Sequence, residues 1–406
     1  MAESDAIQGG APQGGAPLCG VDPFSDDYIL NPYPLHAQLR DAGPVVWLEK
    51  WQVFACARYR EVKAVLEDPA TFCSGAGVGI ANFHKEPPWR PPSMVLETDP
   101  PDHTRNRAVI SRTLSPAALR TLRTRFEEEA VKLVERLLQR ESFDAVKDMG
   151  EAFPLKVFAD AIGIRPEFRG HLIAYGNMVF NGMGPKNALY AQAMANATEV
   201  AAKVWEACQR KNLADDGLGI HIFDAVDSGI LTDEQGATLV RSFMSAGIDT
   251  TANAIATAMW LFASHPEQWQ ALRANPDLAR AAFEELLRFE SPFQTFFRTT
   301  TREVEIGGIR LAADEKVMVS LGAANRDPRQ WQEPDRFDIT RSTTGHVGFG
   351  AGIHGCVGQM IARLELEVLL RALAARVSSI EFAGESRRML HNTLRGFQSL
   401  PVRLRA

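Results

Sequence analysis

Along most of this chain the apolar residues recur every three to four positions, the spacing of one face of an α-helix. Residues 116–139, 232–264, 266–274, 277–289 and 359–377 keep that period and end at Pro, Gly or a polar break, which predicts helices. Period-two patterning is confined to a few places. Residues 45–57 alternate and carry Trp and Phe, while 304–306, a Gly307-Gly308 turn and 309–311 read as a hairpin followed by a strand over 316–321. The pattern predicts a mainly α fold with a smaller β region, as one folded domain over residues 21–406. Residues 1–20 are rich in Gly, Ala and Pro and carry Glu3 and Asp5 where a secretion signal would be basic, so they read as a disordered tail.

Composition narrows the function. At 406 residues, 45% hydrophobic and 23% charged, the chain can bury a large core. A net charge of −6 argues against a nucleic-acid partner. The longest apolar run, 254–263, is too short to span a bilayer, so no membrane association is expected. Five scattered cysteines, Cys19, Cys56, Cys73, Cys208 and Cys356, suit a reducing cytoplasm better than a disulfide framework. No Gly-rich dinucleotide motif follows a strand, so no fused flavin or nicotinamide reductase is expected and electrons would come from another protein.

Chemistry concentrates near the C-terminus, in Phe349-Gly350-Ala351-Gly352-Ile353-His354-Gly355-Cys356-Val357-Gly358. The thiol stands just before the helix predicted from Gln359, where free backbone N–H groups and the positive end of the helix dipole lower a thiol pKa and favour metal ligation. Glycines on either side leave room for a large flat ligand. His354 and Cys356 are too close together for a closed zinc site, and no second pair completes one. In the predicted 232–264 helix, Gly247, Asp249 and Thr250 are weak helix formers, and a buried acid–alcohol pair needs partners; such local violations tend to mark function.

The segment Phe-x-x-Gly-x-His-x-Cys-x-Gly resembles the cysteine loop of the cytochrome P-450 family, and further segments follow the same family order. Glu285-x-x-Arg288 and Pro334-Asp335-Arg336-Phe337 resemble the family's buried structural triad, carried here by Glu285, Arg288 and Arg336. His103 and Arg107 are spaced i, i+4 and, with Arg298 and His354, match the donors to the haem propionates. The resemblance implies haem b with Cys356 as axial thiolate, and Phe349, Gly358 and Ala246 beside the cofactor. It also implies Thr250 and Asp249 in oxygen activation, the acid relaying protons, and Thr251 as a second, structural hydroxyl. Intact Asp249-Thr250 speaks against a peroxygenase, and the absence of an output domain against a gas sensor.

Substrate specificity should lie above the haem. Segments such as Lys85-Glu86-Pro87-Pro88-Trp89-Arg90-Pro91-Pro92-Ser93 resemble the bacterial subfamily that oxidises para-substituted benzoic acids, demethylating 4-methoxybenzoate. Arg90, Ser93 and Ser242, with Arg241 beside them, would clamp a carboxylate. Leu96, Phe180, Met183, Phe293, Phe296 and Ala246 would shape a slot for the ring. Met183 and Phe293 depart from that subfamily's pattern. The resemblance implies O2 as co-substrate and an iron-sulfur ferredoxin with a separate NADH-dependent reductase as partners.

Overall fold

Helix starts follow the capping chemistry of the sequence. In the computed structural model, which describes residues 14–406, Ser115 accepts a hydrogen bond from the Ala118 N–H at 3.4 Å, and Pro116 opens the helix Pro116–Leu138. Thr232 and Gln235 form a reciprocal capping box at the start of Asp233–Ala246. Pro266–Ala274, Ala279–Phe289 and Gln359–Ala374 likewise occupy predicted positions.

The predicted 232–264 helix differs from expectation. It is two helices, Asp233–Ala246 and Asp249–Ser264, broken at Gly247 and Ile248. Three features account for the break. A side chain at residue 247 would place its Cβ 2.2 Å from the Phe158 ring, so only glycine fits there. The hydroxyl of Thr250 donates to the carbonyl of Ala246 at 2.8 Å, taking an acceptor that an unbroken helix would give to a backbone N–H. Gly247 and Asp249 also have low helix propensity.

The β residues gather mainly into one six-stranded sheet in the order Leu18–Cys19, Val46–Leu48, Val53–Cys56, Lys316–Ser320, Thr295–Thr300, Phe72–Cys73. The 45–57 segment is thus two antiparallel strands rather than one, turned at Gln52, whose φ is +52°. Val304–Ile306 and Ile309–Leu311 pair as the predicted hairpin. The expectation of a disordered tail over residues 1–20 needs correction for its last part. Residues 1–13 lie outside the described residues, but Leu18–Cys19 pairs in parallel with Trp47 and Leu48, and the Pro17 carbonyl accepts from the Trp47 N–H at 2.9 Å. Among the described residues no helix is long and apolar enough to cross a membrane.

Candidate active site

The cysteine loop and the broken helix face one another across a cavity of about 260 Å3. Its lining includes Cys356, Val357, Gly358 and Phe349 from the loop and Ala246, Gly247, Thr250 and Thr251 from the broken helix. Helix Gln359–Ala374 starts just beyond the cysteine, as expected. The loop is fixed by the Cys356 N–H donating to the Phe349 carbonyl at 2.8 Å, and Phe349 is gripped between the Phe283 ring and the Arg363 guanidinium. Burial pushes the Cys356 thiol up, against the pull of N–H groups at Gly358 and Gln359 and of Arg107 and Arg363. The sequence expectation of a lowered thiol pKa is therefore corrected: the free thiol is desolvated more strongly than the helix terminus compensates.

One edge of the cavity is cationic. Arg298 is 3% exposed, its guanidinium donates to the Phe297 carbonyl, and burial pulls its pKa down to about 10. It lies two residues from Phe296 on strand Thr295–Thr300, so both side chains project from the same face and both line the cavity. Arg107 donates to the Gly355 carbonyl at 2.6 Å. His354 packs against His103 at 4.2 Å between ring centroids, with the planes 51° apart. Both ring nitrogens of His103 and Nε2 of His354 are buried without a hydrogen-bond partner. Burial, then the neighbouring Arg298, His103 and Arg107, hold His354 at about 3. Buried donors left unsatisfied beside a thiol fit a large group bearing anionic arms, since burying those donors alone is costly. Among the described residues no three His, Cys, Asp or Glu side chains form a metal-ligand set, so Cys356 suits a group that brings its other ligands with it. Of the sequence-predicted cofactor contacts, Arg107, Ala246, Arg298, Phe349, His354, Cys356 and Gly358 line the cavity, and His103 stands behind His354.

The acid–alcohol pair opens the second helix just after the break, and its two side chains have different surroundings. Thr250 lines the cavity; Asp249 does not, and its carboxyl is buried against Gly176 of helix Leu172–Asn181. Burial, reinforced by the nearby Glu151, pushes the Asp249 carboxyl well up, and its Oδ1 has no partner.

All the predicted substrate contacts line the cavity: Arg90, Ser93, Leu96, Phe180, Met183, Arg241, Ser242, Ala246, Phe293 and Phe296. Phe293 stacks on Phe296 at 4.1 Å between centroids with planes 10° apart, and Phe180 meets Phe293 edge-on at 5.4 Å. Arg241 lies over the Trp205 ring, and the Ser242 hydroxyl donates to the Thr238 carbonyl at 3.1 Å. Arg90 is already ion-paired, its Nη1 donating to Glu97 at 2.9 Å and to the Pro91 carbonyl at 2.9 Å. Its Nε, however, is buried without a partner, which leaves an edge of the guanidinium unused.

The bracing triad also differs from expectation. Glu285 and Arg288 form a fully buried bidentate pair at 2.7 and 2.8 Å, and Arg288 further donates to the carbonyls of Asn325, Pro334 and Arg336. The Arg336 side chain is 57% exposed and pairs with Glu333 and Asp338, so only its carbonyl joins the cluster. The third member is Arg341, whose Nε lies 3.4 Å from Glu285. Sequence reasoning also missed Glu365, which lines the cavity with both oxygens buried and unpartnered and is pushed well up by burial. Its signal was a carboxylate in register with the apolar stripe Ile361, Val368 and Ala372.

A sequence profile of the family described as Cytochrome P450 matches residues 183–378. The chain is 54% identical over 389 residues to Cytochrome p450 CYP199A2 of Rhodopseudomonas palustris, covering 96% of this chain and 94% of that protein. It is 32% identical to Cytochrome P450 107B1 of Saccharopolyspora erythraea over 94% of this chain and 96% of the relative. Among solved structures, cytochrome P450 CREJ in complex with (4-ethylphenyl) dihydrogen phosphate superposes with a TM-score of 0.86 at 25% identity, covering 95% of this chain and 99% of that one. The thiol-headed cavity and these relatives place the chain in the cytochrome P450 family, as a monooxygenase that carries haem b on a cysteine thiolate and works with O2 and redox partners.

Proposed function

We propose that this monooxygenase hydroxylates or oxidatively O-demethylates small para-substituted benzoic acids of the 4-methoxybenzoate type, in the cytoplasm, with electrons from an iron-sulfur ferredoxin and a separate NADH-dependent reductase. Cys356 would supply the thiolate ligand of a bound haem, and Arg107, Arg298 and His354, with His103 packed against His354, would hold its propionates. Bound haem supplies the iron at which O2 is reduced and activated. Thr250, donating to the Ala246 carbonyl, holds a hydroxyl towards that region, and Asp249 passes protons to it.

The observation that carries the substrate class is the buried, unpartnered Nε of Arg90 in the lining of the cavity that also carries Phe180, Phe293 and Phe296. A planar guanidinium edge is the natural partner of a carboxylate. Phe293 stacked on Phe296, with Phe180 edge-on to Phe293, gives the cavity an aromatic surface against which one ring could lie. A cationic clamp on the carboxylate makes the cavity a ruler that presents the para group to the oxidant. The neighbour crystallised with (4-ethylphenyl) dihydrogen phosphate carries a ligand of this shape, a para-substituted ring with an anionic head. The test is the Soret shift on adding 4-methoxybenzoate, its methyl ester and the meta isomer. The para acid binds far better than the other two; equal affinity for acid and ester removes the substrate class.

A further inference from the structure

The cation that covers Phe349 is itself held in place. The Arg363 guanidinium lies 4.7 Å from the centre of the Phe349 ring, and the Phe349 carbonyl accepts from the Cys356 N–H at 2.8 Å. Arg363 Nη1 also donates to Gln359 Oε1 at 2.6 Å, and the Gln359 N–H reaches the Cys356 carbonyl at 3.5 Å. Two short chains of contacts thus join this guanidinium to the residue that bears the thiol. Its other edge meets an acid: Nε donates to Glu284 Oε1, and Nη2 to Glu284 Oε2 at 3.2 Å, the two-pronged geometry of a strong carboxylate–guanidinium pair. The two side chains are 15% and 16% exposed, so salt and water screen the pair weakly.

Glu284 has a second donor. His346 Nε2 lies 2.8 Å from Glu284 Oε2, while His346 Nδ1 accepts from the Gly348 N–H at 3.1 Å. A ring nitrogen that accepts carries no proton, so this imidazole is neutral and gives its Nε2–H to the carboxylate. The loop fits closely there, since a Cβ on Gly348 would stand 3.0 Å from His346 Nδ1 and 3.0 Å from the Leu287 carbonyl. Burial pushes the Glu284 carboxyl up, but His346 and Arg363 outweigh it and hold it at about 2. The cluster therefore contains one anion, one cation and a neutral histidine, and its charges cancel. It ties helix Ala279–Phe289 to helix Gln359–Ala374 and to the loop before Cys356, and none of its three side chains lines the cavity.

We propose that Glu284, oriented by His346, cancels the charge of Arg363 beside the cysteine loop and so sets the reduction potential of the haem that Cys356 would ligate. A positive charge near a haem favours the reduced state, and the polar surroundings of the axial sulfur are one of the protein's levers on potential. Unpaired, Arg363 would raise the potential. Paired with Glu284, it packs on Phe349 and fixes the loop without doing so. Glu284 and His346 are positioning residues that act through Arg363. The inference rests on Cys356 as the ligand and is independent of the substrate.

The test is the midpoint potential of the substrate-free holoprotein, with haem content and the reduced carbon monoxide spectrum recorded on the same samples. Glu284→Gln keeps an oxygen for the His346 and Arg363 donors and removes only the charge, so its potential rises above wild type. Glu284→Asp keeps the charge and stays closer to wild type. Adding Arg363→Gln to Glu284→Gln removes the unpaired cation and brings the potential back towards wild type. Arg363→Gln alone, which serves where Glu284→Gln fails to load haem, leaves the carboxylate unbalanced and lowers the potential; a rise there overturns the inference. A wild-type potential in haem-loaded Glu284→Gln overturns it too, as does a raised potential that Arg363→Gln leaves in place, because the charge of Arg363 is then not the cause. A red-shifted carbon monoxide band beside an unmoved potential overturns this inference and leaves Cys356 as the ligand; a wild-type protein without that band overturns both.

Discussion

Removing the Arg90 guanidinium separates a substrate clamp from an internal ion pair, because Arg90 is built into both. The Arg90 and Glu97 side chains are 13% and 4% exposed, and Glu97 Oε2 accepts from Arg90 at 2.9 Å and from the Ser93 N–H at 2.7 Å. Arg90→Ala therefore has two effects on a bound carboxylate. It removes charge-assisted hydrogen bonds, each contributing about 1.5–3 kcal/mol, or roughly ten- to hundredfold in affinity. It also leaves Glu97 unpaired beside the incoming anion, a repulsion of about 3 kcal/mol for charges roughly 6 Å apart at an effective dielectric near 20. The expected loss for the single variant is thus about a thousandfold or more. Adding Glu97→Gln removes the repulsion alone, so the double variant recovers roughly a hundredfold yet stays weaker than wild type. Titrating 4-methoxybenzoate and following the Soret shift measures each step, and an unchanged haem spectrum without substrate confirms intact folding. Wild-type affinity in Arg90→Ala, or no recovery in the double variant, refutes the clamp and the part assigned to Glu97.

Other consequences follow from the same geometry. Thr250→Ala still binds substrate and consumes NADH but diverts oxygen to hydrogen peroxide; full coupling to product, measured against peroxide formed, counts against the relay. Arg288→Ala leaves Glu285 as an unpaired buried charge and costs about 3–5 kcal/mol of stability in denaturant unfolding, whereas Arg336→Ala, at an exposed position, stays within about 0.5 kcal/mol. Burial alone would raise the Glu290 carboxyl, but Arg395, Arg388 and Arg326 hold it at about 2. Its folded value lies below its unfolded one, so its stabilisation is complete above about pH 4.5 and fades as pH falls towards 2; Glu290→Gln flattens that part of the stability profile.

Much of the fold was legible because period and punctuation agree. Pro266–Ala274 and the 304–311 hairpin fall where Pro, Gly-Gly and the apolar period put them. Cys356, just ahead of a predicted helix, and Thr250, among weak helix formers, were readable as cavity residues, whereas Arg298 and the aromatic residues were suggested by the family resemblance. What was hidden depends on neighbours distant in sequence. The break at Gly247 is shaped by Phe158, nearly ninety residues away, and the π-helical turn at 145–151 packs against residue 252. Arg336 and Arg341 are both plausible partners for Glu285 in sequence. Only the path of the loop after Pro334 decides that the first faces solvent and the second faces the acid. The thiol pKa was misjudged for a similar reason: a helix terminus is visible in sequence, while the desolvation that outweighs it is not.

The most direct test of the whole account is the spectrum of the reduced protein under carbon monoxide. Wild-type protein shows the strongly red-shifted Soret band of thiolate ligation, and Cys356→His loses it while still binding haem in the cavity edged by Arg107 and Arg298. A red-shifted band that persists unchanged in Cys356→His contradicts the assignment of the ligand, and with it the site built around Cys356.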